Sequence, residues 1–485
     1  MGSFLNEVEL KKGELIKVEI SKYAFEGKGI AKINNDDSLP VDKKSFVIFV
    51  NGSYPGDTVV AKIKKIKKSY AEAKVEEIVN PSINRIKPQC KHFGVCGGCK
   101  QQDLNYQLQI KYKQEQVKDI FDRLGGFKNY DLLEILPSEK IFFYRNKLEF
   151  SFADKKWLTT DELKTRFDEK LFALGFHVPK IFSKVVDIEE CFLQSELSNT
   201  ILNFTREFFK SRNTSVYSTY THSGFLRNLV IRQSSTTNDL MVNLVTSGEN
   251  DLLLKEYTSA LVQNVPQITT LINNINLKKS AVAIGDYEKV YYGNGIIYDI
   301  IDKYKFRISA NSFFQTNTMQ AEKLYQTALN FAELSKDEIV YDFYSGAGTI
   351  SIFISGRCRE VYAFEAVESA INDAVENNLL NDISNVQCLK ANLDKSIKQI
   401  IKEKNLPLPD TVIIDPPRSG MNPVAVNDII ELAPRKIVYI SCNPTTQVRD
   451  LKLLEQSGYK LVKIRPVDMF PHTYHIENVA LMIRI

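Results

Sequence analysis

The residues best suited to chemistry fall in one stretch, Asp410 to Thr446: DTVIIDPPRSGMNPVAVNDIIELAPRKIVYISCNPTT. TVIID and KIVYIS are short β-branched apolar runs, the pattern of buried parallel strands. Asp415 closes the first and leads into Pro416-Pro417-Arg418, and Ser441-Cys442-Asn443-Pro444 follows the second. Ligands of open α/β sheets sit outside the carboxyl ends of the strands. A carboxylate and a thiol therefore share one binding edge, and Asp415 and Cys442 form the candidate reaction centre. A thiol in a loop at that edge suits nucleophilic attack better than packing.

The flanking sequence must supply the sheet that positions this pair. From Ser309 onward strands and helices alternate, which predicts an α/β fold with a Rossmann-like parallel sheet. EIVYDFYSGAGTISIFIS reads strand, glycine loop, helix, with Gly346-x-Gly348 opening the helix. About twenty residues on, EVYAFEAV ends a second strand at Glu365, where a carboxylate can accept hydrogen bonds from ribose hydroxyls. The longer G-x-G-x-x-G of nicotinamide binding is broken at Ser351, and no P-loop occurs. Together these favour a nucleoside without pyrophosphate, such as S-adenosylmethionine. VDMF and NVALMIRI follow with no helix between them, implying a hairpin edge.

A second cluster lies upstream, in Cys90-Lys91-His92-Phe93-Gly94-Val95-Cys96-Gly97-Gly98-Cys99. Two of the glycines next to Cys99 let the backbone fold around a centre. Cys191, in DIEECFLQ, can complete a four-thiolate set. Four thiolates suit zinc or an iron–sulfur cluster. Zinc ligands commonly come as two close pairs, so the three-plus-one grouping leans toward a cluster.

The chain has 485 residues and a net charge of +4, room for about three domains. No apolar run reaches the roughly 18 residues of a membrane span. Seven cysteines and no secretory signal fit a cytoplasmic protein with reduced thiols. Residues from about 10 to 80 read as a small β domain whose last strand carries Lys62, Lys64, Lys65, Lys67 and Lys68. With Tyr23, Phe25 and Tyr70 they could form a surface that tracks a backbone and stacks bases, or a solvated edge strand guarded by lysines. Arg85, Lys87, Lys91, Lys100, Lys111, Lys113 and Lys118 add a local basic excess that fits a polyanion. It also fits the polar face of a helix over QDLNYQLQIKYKQEQVKDIFDRL. FFYRNKLEFSF, FLRNLVIRQ, DLMVNLVT, KVYYGNGIIYDII and YKFRIS supply strands between residues 140 and 309.

YAFEGKGIAKI, FVNGSYPGDTVVAKIKKIKK and AEAKVEEIVNPS together resemble the TRAM domain, an OB-like RNA-binding barrel. FFQTN, DFYSGAGT, FEAVESAI, DPPRSG, SCNP and PHTYHIEN, with the cysteine grouping, resemble the RNA uracil-5 methyltransferases. The pattern is most similar to the iron–sulfur, TRAM-bearing branch that acts on 23S ribosomal RNA. The resemblance implies three domains: a TRAM-like barrel over 1–80, a mostly β central domain over 81–308 holding a [4Fe-4S] cluster on Cys90, Cys96, Cys99 and Cys191, and a methyltransferase domain over 309–485. It implies Cys442 as nucleophile, Glu477 of His475-x-Glu477 as base, and Gln315, Tyr344, Glu365 and Asp415 as contacts to S-adenosylmethionine. Phe313 could stack on a flipped uracil or pack in the core. Ribosomal RNA is the expected partner, of a monomer with no membrane association. Two other readings are methylation of transfer RNA, whose enzymes in this family are expected to lack the TRAM domain and the cluster, and a non-catalytic, redox-sensing RNA-binding module. The second leaves Gln315, Cys442 and Glu477 without purpose. Ser345 and Thr349 depart from residues common in the family.

Overall fold

Alternating burial along the first strands makes a self-contained sheet. In a computed structural model that describes residues 10–33, 46–158, 172–179, 181–279 and 282–485, these strands are β1 (Leu15–Glu19), β2 (Lys22–Ala24), β3 (Lys28–Ile33), β4 (Phe46–Asn51), β5 (Thr58–Ile66) and β6 (Tyr70–Asn80), paired in the order β1-β5-β6-β4-β3-β2. Val59, Ala61 and Ile63 of β5 point into a core with Ile20, Ala31, Ile48 and Val50. Period-two alternation leaves the intervening side chains for the other face.

The surface expected on this unit is found in part: Lys67 and Lys68 are exposed, while other members are engaged within the protein. Lys64 and Lys65 face Glu76 and Glu72 of the neighbouring strand at 3.6 and 3.9 Å. Tyr23 is packed against Tyr54 and Tyr112, and its hydroxyl accepts a hydrogen bond from Gln101 at 3.0 Å. Phe25 packs against the core of the C-terminal sheet. These two aromatics dock the N-terminal unit onto the body of the protein and are withdrawn from base stacking. Part of the basic excess after it is spent in the same way, while Lys87 stays exposed with no ion pair among the described residues. Arg85 pairs with buried Asp57 at 2.7 Å and with Asp103, Lys91 with Glu189, and Lys118 with Asp122.

Helix α1 (Tyr106–Asp119) begins later than its apolar periodicity suggests, because Asn105 caps it by accepting the Gln107 N–H at 2.9 Å. A π-helical turn over Ile120–Gly125 follows. Then come β7 (Asp131–Leu132) and the central strands and helices: β8 (Lys147–Ala153), β9 (Ala173–Val178), β10 (Ile181–Asp187), α2 (Glu196–Ser211), β11 (Leu226–Gln233), β12 (Leu240–Thr246), α3 (Asp251–Asn264), β13 (Thr270–Ile275) and β14 (Tyr287–Tyr292). Seven of these strands form one sheet, β10-β9-β8-β11-β12-β13-β14. A hairpin of β15 (Ile296–Ile301) and β16 (Tyr304–Ser309) leads onward.

The remainder alternates as expected: α4 (Thr318–Ala332), β17 (Ile339–Phe343), α5 (Thr349–Ser355), β18 (Glu360–Glu365), α6 (Glu368–Leu380), β19 (Val386–Lys390), α7 (Lys398–Glu403), β20 (Thr411–Ile414), α8 (Pro423–Leu432), β21 (Lys436–Ser441), α9 (Pro444–Gln456), β22 (Tyr459–Val467) and β23 (Glu477–Arg484). The sheet order is β19-β18-β17-β20-β21-β23-β22-β7, parallel from β19 to β21. Tyr341, Phe343, Ile437 and Tyr439 face one apolar layer; Val340, Val438 and Ile440 face the other. Both faces are covered, so the strands are apolar throughout. The final hairpin is not the edge. β23 inserts antiparallel between β21 and β22, and β7 pairs with β22 outside it. VDMF leaves the strand at Val467, where the chain turns to place Asp468 against α1.

That contact is a buried ion pair. Lys113 Nζ meets Asp468 Oδ1 at 2.6 Å, with side chains 1% and 0% exposed, and Tyr106 donates to Asp468 Oδ2 at 2.8 Å. Lys113 also donates to the Phe470 carbonyl at 3.3 Å. Gln109 accepts the His472 N–H at 2.9 Å, and the His472 carbonyl accepts the Lys100 and Gln101 N–H groups. Removing one partner leaves a bare buried charge. Lys113→Met should therefore lower unfolding stability by about 3–5 kcal/mol, read from urea unfolding; a loss below about 1 kcal/mol would mean that Asp468 finds water or another partner.

Candidate active site

Strand register brings the proposed chemical groups together. Ser441 pairs with Asn478 across β21 and β23, so Cys442 and Glu477 are the next residues facing each other. Asp415 follows β20, the parallel neighbour of β21. Gln447 locks the junction, donating to the Tyr439 and Asn478 carbonyls at 2.8 and 3.2 Å, while Asn478 donates to its Oε1 at 2.8 Å. Asn443 caps α9 by accepting the Thr445 N–H at 3.1 Å, and its amide reaches the Arg418 carbonyl at 3.2 Å. The two loops are thereby laced together. Gly420, at φ 78°, allows this: a Cβ there would lie 2.7 Å from Arg449 and Asp450.

Burial sets the electrostatics of the trio. It pushes the Cys442 thiol up to about 12, with Glu477 and Asp415 adding to the rise and Arg418 opposing it. It pushes Asp415 up to about 7. Glu477 is raised well above the usual carboxylate range by burial and by Asp415. His475, also buried, is pushed down to about 4 by burial and then by Arg418, and so is neutral. Three acids at one dry edge favour their protonated forms until a positive charge or an exchange of protons intervenes.

The glycine loop sits two strands away. Tyr344, at φ +65°, and Ser345 both donate N–H groups to the Phe364 carbonyl, at 3.1 and 3.2 Å. Gly346 donates to Glu365 Oε2 at 3.0 Å, and Glu365 Oε1 takes the Ala366 and Val367 N–H groups at 2.8 Å. A Cβ on Gly346 would meet nothing within 4 Å, whereas one on Gly348 would lie 3.0 Å from the Ala374 Cβ. The loop is thus open on its Gly346 side and tight against α6 behind. Beneath it lies Asp342, pushed up to about 7 by burial, bonded to Ser351, with Oδ1 lacking a partner. Sequence reading passed over Asp342. Its signal was Ser351, the residue that broke the longer glycine motif and that supplies its hydroxyl to this acid.

Gln315 lies on the loop entering α4, held from the central sheet. Asn146 donates from its amide to the Gln315 carbonyl at 2.8 Å and to Thr318 Oγ1 at 2.9 Å, and from its N–H to Thr316. Thr318 in turn donates to buried Asp299 at 2.7 Å, which also accepts from Ser234 and Thr236. Phe313 is 72% exposed, which removes core packing as its role. Tyr325 of α4 feels Asp415, Asp342 and Glu477, so α4 closes over the same edge. A nucleoside cofactor fits here: the Glu365 carboxylate, the open backbone at Gly346 and the unpartnered Asp342 oxygen stand along one strand edge.

The four upstream cysteines line a separate cavity of about 100 Å³ with His92 and Arg145. All are free thiols. Burial pushes Cys99 up to about 11 and Cys191 up to about 12; Cys96 and Cys90 add to the rise at Cys99, and all three other cysteines add to it at Cys191. Gln102 donates to Cys99 Sγ at 3.2 Å and Gly98 to Cys96 Sγ at 3.4 Å. The thiols share a cavity without a closed ligand shell: among the described residues no group of three or more His, Cys, Asp or Glu stands as a metal site.

Comparison with known proteins places the chain. The TRAM domain family matches residues 9–75, and the tRNA (Uracil-5-)-methyltransferase family matches residues 263–485. A protein of Chlorobaculum tepidum named an uncharacterized RNA methyltransferase is 38% identical over 98% of this chain and 97% of its own. One of Bacteroides thetaiotaomicron bearing the same name is 42% identical over 95% and 99%. Among solved structures, the Pyrococcus abyssi tRNA (uracil-54, C5)-methyltransferase in complex with S-adenosyl-L-homocysteine superimposes with a TM-score of 0.72, at 30% identity, over 96% of this chain and all of its own. No helix of the described residues is long and apolar enough to cross a membrane. This chain belongs to the family of S-adenosylmethionine-dependent RNA (uracil-5-)-methyltransferases.

Proposed function

We propose that the protein methylates uridine C5 in RNA with Cys442 as nucleophile and Glu477 as base. The observation that carries this is the facing of Cys442 and Glu477 across β21 and β23, beside Asp415. Uracil C5 is a weak nucleophile until C6 is attacked. Asp415, pushed up to about 7, is placed to take the thiol proton. The Cys442 sulfur then bonds to C6, and C5 becomes the carbon of an enolate. S-adenosylmethionine, when bound, supplies the methyl group, and its sulfonium charge favours ionisation of the acids around it. Glu477 removes the C5 proton, the C6–S bond breaks and Cys442 leaves as thiolate. Glu365 and Tyr344 hold the nucleoside half of the cofactor, with Gln315 and Asp415 toward the methyl group. Exposed Phe313 stacks on the target base, which must leave its helix to be reached.

The substrate proposed is 23S ribosomal RNA, supported by the combined TRAM-like start and cysteine grouping. Transfer RNA is the second reading. The tRNA enzyme of Pyrococcus abyssi aligns over 96% of this chain, so the N-terminal unit does not by itself exclude it. Mass-spectrometric mapping of 5-methyluridine in both RNA classes, from cells with and without the gene, decides between them. The division at 80/81 and 308/309 remains our reading of the chain, and the protein is taken as a cytoplasmic monomer.

Cys90, Cys96, Cys99 and Cys191 are proposed to hold a [4Fe-4S] cluster, supported by four thiols on one cavity wall with N–H donors aimed at two of them. Such a cluster would brace the central sheet and stands outside the methylation steps. Anaerobically purified protein should carry about four irons per chain; stoichiometric zinc without iron would replace the cluster with a zinc site.

The acid trio predicts unusual thiol chemistry. A pKa raised to about 12 keeps Cys442 protonated through neutral pH. Its alkylation by iodoacetamide, followed on the Cys442 peptide by mass spectrometry, should keep rising about tenfold per pH unit above pH 9. Asp415→Asn removes a negative neighbour, favours the thiolate and should speed the reaction at any one pH. A plateau at or below pH 9 would contradict the trio's geometry.

Separate roles predict separable failures. Cys442→Ala should abolish both methyl transfer and any covalent RNA adduct. Glu477→Gln should transfer one methyl group and then stall, accumulating methylated, enzyme-linked RNA with ordinary uridine on a denaturing gel. Normal turnover in that variant would pass the proton step to Asp415 or His475.

A further inference from the structure

The seam between the central sheet and α4 holds a second cavity that the chemistry above leaves unused. It measures about 170 Å³, below the roughly 300 Å³ at which drug-sized and cofactor sites begin and large enough for one planar base. Lys140, Phe143 and their neighbours form one wall, Gln233 to Ser235 a second, and Asn317, Gln320 and Lys323 at the α4 entrance a third.

Its walls are rich in donors without a counter-charge. Lys140 is exposed and makes no ion pair among the described residues. Arg145 makes no salt bridge among the described residues, but its guanidinium lies over the Phe470 ring at 5.3 Å and also borders the cysteine cavity. Gln233 spends its carbonyl on Ser195, leaving its NH₂. Glu139 is occupied by Lys323 at 2.6 Å. At the rim Phe143 is 44% exposed and held at φ +54° by its N–H bond to the Phe192 carbonyl at 2.7 Å. A bulky aromatic is rarely tolerated in that region, and such strain collects at functional sites.

The position ties the cavity to the reaction. Asn317 is two residues beyond Gln315, and its amide donates to the Met469 carbonyl at 3.0 Å on the segment that leads to Glu477. Arg145 adjoins Asn146, which holds the Gln315 loop. We propose that this cavity binds one nucleotide of the RNA substrate flanking the target uridine, its base on Phe143 and its phosphate at Lys140. The proposal rests on the reading of the enzyme as an RNA uridine methyltransferase. An aromatic face beside cationic donors is the arrangement that holds single-stranded nucleotides without sequence preference.

Lys140→Ala and Phe143→Ala test it, since both side chains reach solvent and neither is packed in a core. Each should weaken binding of substrate RNA about tenfold. Lys140→Ala should also lower the slope of log affinity against log salt by about one, the loss of one phosphate contact. Both should bind S-adenosylhomocysteine as wild type does. A second measurement uses substrates with a single abasic nucleotide at each position beside the target. One position should cost wild type about tenfold and cost Phe143→Ala nothing further, the non-additivity of two halves of one contact. Wild-type affinity and slope in both variants, or additive losses at every position, would overturn the subsite. A wild-type protein that forms no adduct with 5-fluorouridine RNA would instead sink the catalytic reading, and the binding comparison would still judge the cavity.

Discussion

The ion pair between Lys113 and Asp468 is the contact on which the arrangement of the edge carrying Cys442 and Glu477 depends. Both charges are removed from water, which is costly unless each finds a partner of good geometry. They can do so only if α1, from the segment after the cysteines, lies against the end of β22 in the methyltransferase sheet. The chain must then turn at Asp468 and run through His472 and His475 before β23 begins at Glu477. Gln109, one helical turn before Lys113, fixes that same turn through His472. A residue far upstream thus determines where the proposed base enters the sheet. Exchanging the pair for an apolar contact could hold the elements together as well, but without the directional demand that sets the turn.

The same kind of burial that makes the pair costly raises the acids at the edge. Cys442, Asp415 and Glu477 lose water and gain one another as neighbours. All three move toward the neutral form, so ionising one opposes ionising the next. Such a group is suited to a reaction in which protons are passed between neighbours while a cation is bound. In an exposed loop the same three residues would titrate near their ordinary values and gain little from proximity. The laced loops, with Asn443 on Arg418 and Gly420 against Asp450, hold the group in place.

Much of this was legible in the sequence. The parallel strands were visible as unbroken apolar runs, because a sheet covered on both faces has no polar side to show. The positions of Cys442, Asp415 and Glu365 followed from where those runs stop. Long-range pairing was not legible. Nothing local in Asp131-Leu132 announces that it joins the sheet outside β22, and nothing in VDMF announces that Asp468 is bound by a lysine more than three hundred residues earlier. α1 starts at Tyr106 because of one capping amide, which apolar periodicity does not register. Asp342 was hidden because its partner, Ser351, was read only as a missing glycine.

Charge was the least reliable of the sequence signals, and the physical reason bears on how such enzymes meet RNA. A run of lysines and arginines counts charges but not their partners. Arg85, Lys91, Lys113 and Lys118 all find carboxylates within the chain, and a paired cation releases few counterions when a phosphate approaches. The aromatics nearest the basic strand, Tyr23 and Phe25, are spent on docking one unit to another. Lys67, Lys68 and Lys87 stay exposed without an ion pair among the described residues, and an unpaired cation beside an open aromatic face also stands at the seam of the central sheet and α4. A seam can keep such groups unpaired because the elements on either side are held by other contacts: Asn146 on the Gln315 loop, Asp299 on Thr318, Asn317 on Met469. Where those contacts already carry the packing, side chains such as Lys140 and Phe143 can remain unpaired or strained without unfolding the protein, and that freedom is what a substrate can use.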